Sequence, residues 1–214
     1  MKQLYTTWSY DERVEANLIP GISDLGIKAP KFLFVRGLVR DVNWSKVVAV
    51  VGSRRMTTYG ERMVLSLVPE LVGQGFVVLS GLMYGVDRAA HKAAMASGGK
   101  TIAVLGWGIN NKMSFTDEKL AEEIVSKRGL IVSEWKEQPG TKWTFPLRDR
   151  ITAALSQSIY VVEAAEKSGA LITAEWGIRL GREIWAVPGP VTSLMSFGTN
   201  KLINEGKARA WIPR

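Results

Sequence analysis

The chain has 214 residues, 46% of them hydrophobic and 22% charged, the balance of a globular protein with one large domain or one domain and a small addition. It contains no cysteine and one histidine, which excludes disulfides, cysteine nucleophiles, thiolate metal sites and multi-histidine metal centres. A net charge of +8 fits either a polyanionic partner or a solvated basic surface.

Residues 1–43 read differently from the rest. Tyr10 to Leu18 predicts a short helix, Pro20-Gly21 and Ala29-Pro30 break the chain, and Lys31 to Val39 predicts an edge strand ending at Gly37. The opening residues Met1 to Trp8 lack the apolar centre of a secretory leader, and no apolar run approaches the ~20 residues that span a membrane. A cytoplasmic protein with no membrane partner is expected. Residues 1–43 are read as a small N-terminal appendage and 44–214 as the main domain.

After Lys46, Val47 to Val51 is a continuous apolar, mostly β-branched run of the kind buried on both faces of a parallel sheet. A helix is predicted from Thr58, where Thr58-Tyr59-Gly60-Glu61 fits the S/T-x-x-E capping box. Between strand and helix lie Gly52, Ser53, Arg54 and Arg55. A helix N-terminus offers free N–H groups and the positive end of a dipole, so guanidinium groups beside it make an anion site, with phosphate the obvious anion.

Further strands are predicted at residues 76–79, 101–105, 130–132, 159–162 and 184–187, and helices at 59–72, 88–97, 117–127, 147–155 and 170–180. Gly73, Gly98, Gly129 and Gly181 follow helices as C′ residues do. This alternation predicts an α/β fold with a doubly wound, mostly parallel sheet, whose ligands bind at the carboxyl ends of the strands.

Two nucleotide motifs fail. Gly106-Trp107-Gly108 begins a dinucleotide fingerprint but has Asn111 at the third glycine, and Gly98-Gly99-Lys100-Thr101 precedes a strand instead of following one. The turn Ser80 to Asp87 carries Gly81 and Gly85, which serve either close ligand approach or a tight loop. His91 reads as a packing residue, since no nucleophile accompanies it. In Lys142 to Arg150, Arg148 and Arg150 cannot share a helix face, so one reaches a phosphate while the other holds a carboxylate, or both are structural. Trp143 and Phe145 either stack on bases or fill the core. Ser168 caps the next helix, Gly169 frees its backbone, and Glu163 ends a buried strand as an organiser rather than an acid catalyst.

Val51-Gly-Ser-Arg54, Ser80-Gly-Leu…Gly85-Val-Asp87, Ala90-His91, Ile102-Ala-Val-Leu-Gly106, Ser133-Glu134, Phe145-Pro-x-Arg148-x-Arg150-Ile151, Val161-Val-Glu-Ala164, Ser168-Gly-Ala-Leu-Ile-Thr-Ala174 and Ala186-Val-Pro-Gly189 occur in that order. Together they resemble the DNA processing protein A (DprA/Smf) family of bacteria. The resemblance implies a Rossmann-like domain that binds single-stranded DNA, forms a homodimer, helps load the RecA recombinase in natural transformation, and catalyses nothing. It places the family's phosphate-binding arginine on Arg54 and its lysine on Lys142. Asp149 replaces the asparagine of the usual Arg-Asn-Arg, Lys112 to Phe115 replace a Tyr-Pro, and no winged-helix segment is read after Trp211.

The expected function is therefore single-stranded DNA binding through Gly52, Ser53, Arg54, Gly81, Lys142, Arg148, Ser168 and Gly169, with Trp143 and Phe145 stacking on bases. No catalytic residue, metal or cofactor is expected. The alternative is a nucleotide phosphoribohydrolase of the LOG/lysine-decarboxylase-like type, which needs a Pro-Gly-Gly-x-Gly-Thr-x-x-Glu loop. Residues 166–174 hold no such glycine run.

Overall fold

The computed structural model describes residues 12–213. Among the described residues, nine strands form one sheet in the order β1-β2-β6-β5-β4-β3-β7-β8-β9. The strands are β1 (Glu12–Glu15), β2 (Phe32–Arg36), β3 (Val47–Val51), β4 (Val77–Ser80), β5 (Thr101–Val104), β6 (Leu130–Ser133), β7 (Ser158–Val161), β8 (Glu183–Ala186) and β9 (Arg209–Ala210). From β6 to β9 every pairing is parallel, while β1 and β2 join the edge antiparallel. The helices are α1 (Thr58–Gly73), α2 (Val86–Ala96), α3 (Phe115–Ser126), α4 (Thr144–Ala154), α5 (Gly169–Arg179) and α6 (Phe197–Asn204).

Strands β3 to β6 are buried on both faces, and successive residues feed opposite layers. Val48 and Val50 of β3 pack under α1 and α2, against Val64, Leu67, Leu71 and Val86. Val47, Ala49 and Val51 face the other layer, with Ile151 of α4 and Ala174 of α5. Ala103 and Ile131 carry the first layer on to Leu120 and Ile124 of α3. Helices thus cover both sides, as the apolar runs of the sequence require.

The N-terminal region departs from expectation. Residues 12–15, read as helix, form β1, and Ala16–Leu18 is a single 3-10 turn. Tyr10 and Asp11 lie outside the described residues. Phe32–Arg36 is not an edge strand, because β1 pairs with one side of it and β6 with the other. Within Phe32–Arg36, Leu33 and Val35 turn into the core.

Helix ends also shift. The α1 cap is Thr57, whose Oγ1 accepts from Gly60 N at 3.2 Å. The capping-box acid is supplied from across the sheet: Glu163 Oε2 accepts from Thr57 N at 2.9 Å and Oε1 from Thr57 Oγ1 at 2.5 Å. Gly60 makes room for it, since a Cβ there would lie 2.3 Å from Glu163 Oε2. The organising role read for Glu163 matches this geometry. After α1 the left-handed residue is Gly75 (φ 81°) rather than Gly73, and after α3 it is Arg128 (φ 60°) rather than Gly129. Gly129 is needed for close packing, because its Cβ would meet Thr101 O at 2.4 Å.

Candidate functional site

Chain direction across the sheet reverses between β3 and β7, and a crevice opens there at the carboxyl ends of the strands. It encloses about 620 Å³. Its walls come from the turns after β3, β4 and β7, from the first turns of α4, and from Met195. Gly52, Ser53, Arg54, Gly81, Lys142, Phe145, Arg148, Ser168 and Gly169 all line it. Segments distant in sequence converge because each ends a strand on the same side of the sheet.

The turn after β3 is braced from beneath. Ser53 Oγ accepts from Arg55 N at 3.0 Å, and its hydroxyl lies 3.3 Å from Met195 Sδ. Ser53 O accepts from Val86 N at the start of α2. Gly52 and Gly85 permit this contact: a Cβ on Gly52 would meet Val86 Cγ2 at 2.7 Å, and one on Gly85 would meet Ser53 O at 2.2 Å. These glycines serve packing. Gly169 differs, since a Cβ there meets nothing, and it opens α5 behind Ser168, whose Oγ accepts from Ala170 N at 3.4 Å.

Arg54 and Arg55 are exposed, and so are Lys142 and Lys167. The Arg54 guanidinium lies 4.9 Å from the centre of the Phe145 ring. Sequence reasoning left Lys167 out of the site, although a cation immediately before a helix cap was legible there. Met195 carried no signal, because it reaches the crevice only through the fold.

Arg148 occupies a different position from Arg54. It is 5% exposed, with Nη1 donating to Gly81 O at 2.8 Å and to Val104 O, and Nε donating to Asp149 Oδ1 at 3.1 Å. It ties the ends of β4 and β5 together under the crevice. Gly81 is required for this, as a Cβ would lie 2.3 Å from Arg148 Nη1 and 2.5 Å from Asp87 Oδ2. Arg150 points elsewhere, holding both oxygens of Glu134 at 2.8 and 2.5 Å and donating to Lys28 O at 2.9 Å. Both arginines of the motif are therefore committed to the protein.

Two carboxyls lie in the floor. Burial pushes Asp87 up to about 6, against the pull of Arg148. Burial also raises Asp149, with Arg148 again opposing. The charge that Asp149 adds is thus internal and paired, and it is not presented to the crevice as a bare anion. His91, one turn beyond Asp87, is fully buried with Nδ1 2.7 Å from Thr101 Oγ1. That hydroxyl donates to Val78 O, so the imidazole donates from Nδ1, and burial lowers its pKa to about 3. His91 is a packed, neutral residue, as read.

The aromatic pair separates. Phe145 lines the crevice and meets Trp107 edge-on at 6.2 Å. Trp143 is 52% exposed, lies outside the crevice, and packs edge-on against Trp135 at 6.1 Å.

The family model for DNA recombination-mediator protein A matches residues 14–212. The DNA processing protein DprA of Bacillus subtilis is 35% identical over 182 residues, which cover 85% of this chain and 61% of that protein. The chain therefore spans about three fifths of that relative's length. The solved structure of DprA from Streptococcus pneumoniae superposes with a TM-score of 0.84 at 33% identity, covering 95% of this chain and 71% of that one. DNA processing protein A from Helicobacter pylori, whose structure concerns its single-stranded DNA binding mode, gives 0.82 at 28% identity and covers 94% and 90%.

Proposed function

Since the chain belongs to the DNA recombination-mediator protein A family, we propose that it holds single-stranded DNA by its phosphates in the crevice at the sheet's switch point. One observation carries this reading: the exposed cations Arg54, Arg55, Lys142 and Lys167 line a crevice whose charged floor groups, Arg148, Asp149 and Asp87, are buried, with Arg148 paired to Asp149. These four exposed cations outnumber the two carboxyls that line the crevice, Asp87 and Asp149, which are buried. Phosphate contacts of this kind position a strand without reading sequence. Gly169 and Ser168 at the start of α5 add backbone donors to the same wall. Phe145, with Arg54 over it, offers a ring to a base.

The same reading makes the protein a homodimer that passes its strand to a recombinase of the RecA class, without catalysis. Near the C-terminal end, Ile184, Ala186, Val187 and Trp211 are spent in the core, whereas Val191, Leu194, Phe197 and Ile212 are exposed and available to a second copy.

The rival is an enzyme acting on a nucleotide in the crevice, and Asp87 is the observation in its favour, because a lining carboxyl with a pKa of about 6 suits acid–base work. Glu163 does not support it, being buried against Thr57. Competition between single- and double-stranded oligonucleotides, beside incubation with nucleoside monophosphates, separates the readings. Preference for single strands with no base release is expected. Equal or tighter duplex binding refutes the strand-binding reading, and base release refutes the absence of catalysis.

A further inference from the structure

A second, smaller cavity of about 340 Å³ sits on the same rim, lined by Tyr84, Trp107, Asn111, Lys112, Met113, Ser114, Asp117 and Gly140. Its volume falls at the low end of the ~300–1,000 Å³ typical of small-molecule sites. It adjoins the crevice through shared structure. The turn after β4 lends Gly81 and Met83 to the crevice and Tyr84 to the second cavity. Phe145 stands between them, 6.2 Å from the Trp107 ring, with its Cζ 3.4 Å from where a Cβ on Gly140 would be.

Tyr84 is the unusual residue of this cavity. It is 57% exposed on the turn after β4. The Arg88 guanidinium lies 4.7 Å from its ring centre, and Arg88 is itself anchored by Asp117 at 2.6 Å. The ring is thus supported on one face by a fixed cation while most of its surface stays in solvent. Lys112 is exposed at the mouth. A supported phenol face, an indole in the wall and an exposed cation at the rim are what a nucleobase with its attached phosphate requires.

We propose that this cavity is a base subsite: the strand whose phosphates lie along Arg54 and Lys142 continues past Phe145 and stacks a base on Tyr84, with Lys112 meeting the following phosphate. The proposal rests on the strand-binding reading of the crevice and extends its footprint along the carboxyl ends of β4 and β5. Stacking is tolerant of base identity, so the subsite adds affinity with little sequence preference.

The test uses the whole chain and a fluorescently labelled oligo-dT, with anisotropy as readout. Tyr84→Ala is expected to weaken binding roughly five- to fiftyfold and to leave the salt dependence unchanged, because no charge is removed. Tyr84→Phe, which keeps the ring, is expected to bind like the parent. On a strand of abasic residues, parent and Tyr84→Ala should bind alike. If Tyr84→Ala binds oligo-dT like the parent while Arg54→Ala is impaired, the subsite is refuted and the crevice reading stands. An equal loss on the abasic strand refutes stacking. A parent that fails to bind single strands refutes the crevice reading and the subsite with it.

Discussion

Arg54→Ala is the most direct perturbation of the crevice. The residue is exposed on the turn after β3, and neither the cap of α1, made by Thr57 and Glu163, nor the brace from Ser53 Oγ to Arg55 N uses its side chain. What folding loses is the contact with Phe145 at 4.9 Å, worth roughly 0.5–1 kcal/mol at an exposed site. For a domain of this size that is a melting shift of about 1–4 °C. Binding loses more, since a charge-assisted phosphate contact is worth roughly 1.5–3 kcal/mol, or about ten- to a hundredfold in affinity. Removing one phosphate contact also lowers the slope of log K against log salt by about 0.7. Anisotropy titrations with oligo-dT at several salt concentrations, beside thermal melts, measure all three quantities. Parent-like affinity with an unchanged melting curve refutes the assignment of this turn. A weakened Kd with an unchanged salt slope refutes the phosphate contact, and makes Arg54 a support for Phe145 alone.

Lys142→Ala should act in the same direction but less, because an ammonium lacks the fork of a guanidinium, and a loss equal to that of Arg54→Ala would contradict this. Gly60→Ala inverts the usual helix rule: an interior Gly→Ala gains up to about 1 kcal/mol, but here the added Cβ meets Glu163 Oε2 at 2.3 Å, so urea melts should show destabilisation, and a gain would show that Glu163 does not hold the cap. His91, lowered from 6.5 to about 3, costs stability as pH falls below 6.5, whereas Asp87, raised from 3.8 to about 6, contributes stability that is complete below 3.8 and lost as pH rises through 6. The two oppose each other between about pH 6 and 4, so the stability difference between the parent and Asp87→Asn should move in the parent's favour on acidification across that window, and a difference independent of pH refutes the assignment. Light scattering should find a homodimer, and affinity should rise sharply once an oligonucleotide spans two crevices; a monomer with affinity flat against length excludes both.

The repeating part of the fold was legible in the sequence. Strands β3 to β8 are short apolar runs, and helices α1 to α5 fall between them, because burial on two faces and capping are encoded within a few residues. That alternation also located the crevice, since every strand end in a parallel sheet delivers its turn to one side. Gly52, Arg54, Gly81, Ser168 and Gly169, read from their turns, line it, as does Lys142, which came from the family resemblance. What the sequence left open depended on partners far along the chain. Residues 12–15, Glu-Arg-Val-Glu, carry no period that marks a strand, and they become one by pairing with β2. Arg148 and Arg150 carry the same charge two residues apart, yet the fold buries one under Gly81 and Val104 and locks the other on Glu134. Trp143 and Phe145 are equally aromatic, yet only Phe145 reaches the crevice. Residue type and local spacing set where turns and charges fall, but whether a side chain meets solvent or a buried carbonyl is decided by segments that meet only when the sheet closes.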